Sequence, residues 1–138
     1  QHLNTTGTNQ VVYEYGMSSR DTGTARSGEC LRLAPTSATY YCAQSFYFAA
    51  ASGVAQTLGA YVRNSAAFNG DVQGEIWFMG NLITGPTAST TSSDDTYESK
   101  TLNAAAVDIT EDGVLELRIR VRGTAGYVYI DDLSAVAT

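Results

Sequence analysis

Histidine is almost absent from these 138 residues, represented by His2 alone, and lysine is reduced to Lys100. One histidine near the N-terminus excludes histidine-based catalytic triads and histidine-rich metal centres. Eight basic residues stand against 14 acidic ones, a net charge of -6, which is the opposite of the basic footprint of a nucleic-acid binder. Charged residues make up only 16% of the chain, against about 25% in soluble domains at large. Apolar runs are short and interrupted, so no membrane span is expected. The motifs G-x-S-x-G, H-E-x-x-H, C-x-x-C and the P-loop are missing, and no pair among the 14 acids is singled out as a glycosidase couple. No enzymatic activity is expected.

What the chain has in quantity is tyrosine, with nine, together with 13 glycines and many serines and threonines. That mixture suits pleated, half-buried surfaces rather than helical bundles. The length fits a single domain over residues 1–138. Because the chain starts at Gln1 without a leader and ends soon after a last strand, it is expected to be a C-terminal or excised part of a longer protein, with residues 1–9 flexible.

The clearest strand runs from Val114 to Arg122, where Leu115, Leu117, Ile119 and Val121 alternate with Glu116, Arg118, Arg120 and Arg122. Period two over that length puts one face in a core and the other in water. Further strands are expected at Gln10 to Tyr15, Cys30 to Ala34, Thr39 to Cys42, Gln44 to Phe48, Gln56 to Arg63, Val72 to Phe78, Tyr97 to Ile109 and Tyr127 to Ile130. Thr84 to Thr96 reads as a long surface loop. About eight short strands separated by turn signals indicate an all-β antiparallel sandwich of the jelly-roll type.

Three turns are expected to close hairpins. Asn69-Gly70 would join the strands on either side of it. Thr124-Ala125 would set Val121 opposite Val128 and place the Arg118, Arg120 and Arg122 stripe beside Tyr127, Tyr129 and Asp131. A hairpin centred on Thr36 would set Cys30 opposite Cys42, within reach of a disulfide, with two unlinked buried thiols as the alternative. Alternation fails at Asp132, which falls on the inward side, so a bulge, a cap or a site is expected there.

The candidate ligand-binding residues are Trp77, whose ring on an outward face offers a platform for a sugar or a partner surface, and Tyr127, Tyr129 and Arg120. For Trp77 the alternative is packing under the Thr84 to Thr96 loop. The arginines either grip an anionic glycan or form a neutralised, solvated face. Asp131 and Asp132, with Asp94-Asp95 or Glu14, either hold a structural calcium or cap backbone amides at the bend of the last strand. Asn4-Thr5-Thr6 has the form of a glycosylation sequon.

Four stretches taken in order carry a resemblance: Arg26-Ser27-Gly28-Glu29-Cys30-Leu31-Arg32-Leu33, Gly59-Ala60-Tyr61-Val62-Arg63 with Phe68-Asn69-Gly70, Thr110-Glu111-Asp112-Gly113-Val114-Leu115-Glu116, and Gly126-Tyr127-Val128-Tyr129-Ile130-Asp131-Asp132. Together they resemble the galactose-binding-like jelly rolls shared by carbohydrate-binding modules and by accessory domains of tailed-phage virion proteins. Tyr61 to Ser65 and Phe68 to Gly70 look closer to the phage members. The resemblance implies a non-catalytic sandwich appended to a larger surface protein, and it matches Asp131 or Asp132 to an aspartate that helps hold calcium in carbohydrate-binding relatives.

The function expected is therefore a virion surface domain of a tailed phage, serving capsid or tail decoration, assembly contacts or adhesion to host glycans. Its partners would be other virion proteins, copies of itself or glycans, and neither nucleic acid nor membrane. The alternative is a carbohydrate-binding module of a secreted glycan-processing enzyme, which a Cys30–Cys42 disulfide would fit better than a protein assembled in a reducing cytosol.

Overall fold

The computed structural model describes residues 11–13, 18–21, 23–26, 28, 30–89 and 93–138. His2, the Asn4-Thr5-Thr6 sequon and Glu14 lie outside the described residues. Ten strands follow in chain order: β1 (Val11–Tyr13), β2 (Ser18–Asp21), β3 (Cys30–Leu33), β4 (Ser37–Ala50), β5 (Gln56–Asn64), β6 (Asp71–Phe78), β7 (Asn81–Ala88), β8 (Glu98–Ala104), β9 (Gly113–Gly123) and β10 (Val128–Ala137). They form two sheets of five strands, in the orders β1-β4-β9-β6-β7 and β2-β3-β10-β5-β8. Every pairing is antiparallel. The expected all-β sandwich is what forms.

The core is the sum of the two inward faces. In the first sheet β9 lies between β4 and β6, and its apolar half makes continuous rows: Phe48–Leu115–Phe78, Phe46–Leu117–Ile76, Gln44–Ile119–Gly74 and Cys42–Val121–Val72. In the second, β10 lies between β3 and β5, with Val128 between Leu33 and Asn64 and Ile130 between Leu31 and Val62. Phe46, Leu31, Leu58, Ile76, Leu115, Val121, Val128 and Ile130 are all fully buried. Burying each such side chain stabilises the fold by about 1.5–3 kcal/mol relative to leaving it exposed.

All three expected hairpins are replaced by crossings from one sheet to the other. β9 and β10 lie in different layers, so Thr124-Ala125 is a bridge between sheets and Val121 is not opposite Val128. β5 and β6 are likewise separated, and Asn69-Gly70 serves the crossing instead. The Asn69 Oδ1 accepts hydrogen bonds from the backbone N–H of Thr124 (2.9 Å) and Ala125 (3.1 Å), while its Nδ2 donates to the Thr124 hydroxyl (2.8 Å). Residue 70 must be glycine, because a Cβ there would sit 1.6 Å from the carbonyl oxygen of Arg122. β3 and β4 are also in opposite sheets, so Cys30 and Cys42 do not face each other; both are buried and no disulfide joins them. Burial pushes the Cys42 thiol up from its ordinary pKa. Period two reports that a face is buried and leaves open which strand lies alongside; a short link can cross the sandwich as readily as it can turn back.

The irregularity expected at Asp132 is present, as a bulge. β10 pairs with β5 through Asp131, breaks register, and resumes at Ser134 opposite Gly59. Asp132 takes a left-handed φ of 47°, and the bulge returns Leu133 to the core, where it is 1% exposed. Asp132 is thus turned out, Leu133 is turned in, and the strand runs on to Ala137. The expected loop from Thr84 begins as strand β7, and Tyr97 to Ile109 divides into β8 and a 3-10 turn over Ala106–Asp108. No described helix is long and apolar enough to cross a membrane.

Candidate functional site

The outward half of β9 carries Val114, Glu116, Arg118, Arg120 and Arg122, and the neighbours that meet this half come from β4 and β6. Register aligns Tyr47–Glu116–Trp77–Leu82 across four strands, and beside that row Ser45–Arg118–Glu75 and Ala43–Arg120–Gln73. The guanidiniums lie over rings: Arg118 is 4.5 Å from the Trp77 ring centre, and Arg120 and Arg122 are 4.0 and 4.7 Å from that of Tyr41. Beneath this layer the small side chains of Ala43 and Ser45 are buried.

Each arginine of the stripe also has its own carboxylate. Arg118 Nε donates to Glu116 at 2.8 Å, Arg120 lies 3.8 Å from Glu75, and Arg122 donates to Asp71 at 2.8 Å. Glu116 is further held by the Ser45 hydroxyl (2.6 Å), Gln73 accepts from Arg120 (3.3 Å), and the Trp77 indole N–H points to Glu75 (3.5 Å). The stripe is therefore neutralised as one reading of the sequence expected, by different partners. Tyr127, Tyr129 and Asp131 belong to the other sheet.

Trp77 is half-buried, braced by Arg118, and it remains on the outward face. Exposed apolar side chains adjoin it: Leu82 in its own row, 42% exposed, and Val114 in the next row opposite Ala49, 46% exposed. The arrangement offers ring faces, fixed carboxylate and amide acceptors and fixed guanidinium donors on one rigid sheet, which is the equipment for gripping a polyhydroxylated ligand. Tyr41, Tyr47, Glu75, Gln73 and Asp71 belong to this face and escaped the sequence reading as site residues. Their outward parity in β4 and β6 was the available signal, and it became informative only with β9 placed between those strands.

The outer face of the second sheet is covered around Cys30 and Asp131. Tyr129 is 7% exposed, Asp131 and Cys30 are fully buried, and Thr24 and Tyr97 lie over them. The carbonyl of Thr24 accepts from the Tyr97 hydroxyl (2.9 Å) and from Arg63 (3.2 Å), and the Thr24 hydroxyl lies 3.8 Å from the Cys30 sulfur. Burial, then the hydrogen bond with Cys30, raises the Tyr97 pKa well above its ordinary value. Arg63 donates to Asp95 at 2.7 Å, which lowers the Asp95 pKa and raises that of Arg63. Tyr127 lines a different region, a groove of about 450 Å³ at the end of the sandwich with Pro35, Thr36, Ser65 and Thr124.

Trp77 and Arg120 are thus brought to one face, while Tyr127 and Tyr129 are carried to the other sheet. Asp131 and Asp132 by themselves would supply only part of the six to eight hard oxygens that calcium takes. Arg26 already pairs with the Asp132 carboxylate, Asp131 accepts from the backbone N–H of Asp132 (2.8 Å), and no group of three acidic, cysteine or histidine side chains that could hold a metal exists among the described residues. Asp94 and Asp95 are not part of such a cluster, and Asp95 is engaged by Arg63. A small apolar cleft of about 140 Å³ also opens between the sheets at the β7 and β8 edge, lined by Leu58, Ala60, Val72, Leu102, Leu117 and Ile119.

No protein-family model matches the chain, and no curated protein matches it. Solved structures do match in fold. A family 16 carbohydrate-binding module shares 14% identity over 88% of this chain and 87% of its own, with a TM-score of 0.64. A family 61 carbohydrate-binding module solved with β-1,4-galactotriose shares 12% identity over 94% of this chain and 88% of its own, at 0.60. The enzymatically active domain of tailspike protein 4 of bacteriophage CBA120 shares 13% identity over 95% of this chain and 19% of its own, at 0.62. The chain has the jelly-roll fold of carbohydrate-binding modules, a fold that also occurs within a phage tailspike.

Proposed function

We propose that this chain is a non-catalytic glycan-binding domain on the virion surface of a tailed phage, with the glycan lying across the outer face of the first sheet. The observation that carries the reading is the row Tyr47–Glu116–Trp77, two rings flanking a carboxylate that Ser45 and Arg118 hold in place. Pre-fixed acceptors and donors cost little ordering entropy when a sugar binds, and rings supply the apolar contact. The likeness to carbohydrate-binding modules and to a tailspike supports the same reading.

A glycan array probed with the wild-type chain and with Trp77→Ala tests it. Wild-type binding to a subset of glycans, lost at least about tenfold in the variant, is expected; no binding anywhere on a broad array overturns it. For the virion assignment, mass spectrometry of purified phage particles should find the chain among the structural proteins. The second reading, a module of a secreted glycan-processing enzyme, is favoured by the xylan-binding domain among the structural neighbours. A glycosidase domain in the same polypeptide would decide for it.

A further inference from the structure

Building on the glycan-binding reading, we infer that the ligand is an uncharged glycan that presents a methyl group, carried either by a 6-deoxyhexose or by an acetylated hexose. Two independent features of the face lead there. The first is charge. Arg118, Arg120 and Arg122 are each matched by a carboxylate, Glu116, Glu75 and Asp71, so the stripe offers no uncompensated cation. An acidic sugar would have to displace one of these carboxylates and lie against it, whereas neutral hydroxyl groups can be added to the existing pairs as further donors and acceptors.

The second feature is the apolar end of the same face. Leu82 stands in the row of Trp77 and Val114 in the next row, and they leave 42% and 46% of their surface in water. Leu82 faces Trp77 across β6 and β7, and Val114 precedes Glu116 by two residues on the same outward side of β9. Two exposed aliphatic side chains beside a braced indole, next to fixed polar groups, form a surface that a plain hexose leaves unsatisfied, since its exocyclic CH2OH is hydroxylated. A ring methyl or an acetyl methyl removes that apolar surface from water while the remaining hydroxyl groups meet Glu116, Arg118 and Gln73.

The test is an array on which each neutral hexose glycan is printed with its 6-deoxy, N-acetyl, sulfated and uronic counterparts. It is probed at low and high salt with the wild-type chain, Val114→Ser, Leu82→Ser and Trp77→Ala. Wild-type should prefer the 6-deoxy or the N-acetyl members over the parent by about tenfold or more, the discrimination available from one well-buried methyl. Whichever arm responds names the source of the methyl. Val114→Ser and Leu82→Ser, both at exposed positions, should bring that ratio close to parity while binding to the parent glycan persists, and the preference should survive high salt. Equal binding to parent and methyl-bearing members, or preference for sulfated and uronic members that fades with salt, overturns the inference and leaves glycan binding standing. No glycan binding by the wild-type overturns both. A wild-type dimer in sedimentation that Val114→Ser converts to monomer assigns the patch to a second copy of the chain and also overturns the inference.

Discussion

On the outer face of the first sheet Arg118, Arg120 and Arg122 stack on Trp77 and Tyr41 and keep 30%, 28% and 35% of their side chains exposed. On the outer face of the second, Arg26 stacks on Tyr61, Arg32 on Tyr127, and Arg63 on Tyr97 and Tyr129, with Thr24 and the Tyr97 ring laid over the buried Cys30 and Asp131. The local chemistry is the same, a guanidinium on a ring with a carboxylate close by. What differs is coverage. Under a layer of chain the arginines fasten that layer to the sheet, through contacts such as Arg63 to the Thr24 carbonyl and to Asp95. Without a layer they hold rings and carboxylates in fixed positions and leave them available to a ligand.

Substitutions on the two faces should therefore part company, stability responding on one and binding on the other. The largest effect is expected for Asp131→Ala. It removes a fully buried carboxylate and strands the hydrogen-bond donors around it, at about 3 kcal/mol in chemical denaturation, with no change in glycan affinity for whatever remains folded. A denaturation midpoint within error of wild-type would show that the covered face is not a structural element. Trp77→Ala should do the reverse, costing about tenfold or more in binding while the half-exposed site changes stability by less than about 1 kcal/mol.

Tyr97→Phe removes one hydrogen bond to the Thr24 carbonyl, about 1 kcal/mol, and it alters the alkaline limb of stability. The folded Tyr97 has a raised pKa, so its contribution is complete below the ordinary tyrosine value of 10.0, where neither state is ionised. It is lost as pH climbs beyond that value, because the unfolded chain releases the proton first. The phenylalanine variant should therefore lose less stability than wild-type between neutral pH and pH above 10.0. The smallest effect belongs to Asp95. Its folded pKa is depressed below 3.8, so the contribution of the Arg63 pair is present above that value and disappears as pH falls through the lower, folded value. Asp95→Asn should flatten the acid limb slightly, and an unchanged acid limb would remove the pair from the account.

The alternation in β9 was legible because Leu115 to Val121 obeys period two without interruption, and the failure at Asp132 was legible because a carboxylate on the inward parity has no place in an apolar core. The candidate face was half legible. Trp77 and the arginines stood out as residue types on outward positions, yet Tyr41, Tyr47 and Glu75 did not, since an outward tyrosine or glutamate in isolation is ordinary. The pairings misread from sequence have one cause. Asn69-Gly70 and Thr124-Ala125 carry the local chemistry of tight turns, and that chemistry serves equally well to clamp one crossing against the other.

By itself the sequence determined the class of structure and the inward half of its central strands, because the side-chain period of a strand and the cost of wetting Leu, Ile, Val and Phe act on every residue wherever the partner strand comes from. Which strands became neighbours, and hence which aromatic rings met the arginines, which carboxylates neutralised them and which of two similar faces stayed open, was decided only by the tertiary structure. Those outcomes depend on contacts between residues distant in the chain, such as Tyr47 with Glu116 and Trp77, and a local pattern carries no record of distant partners.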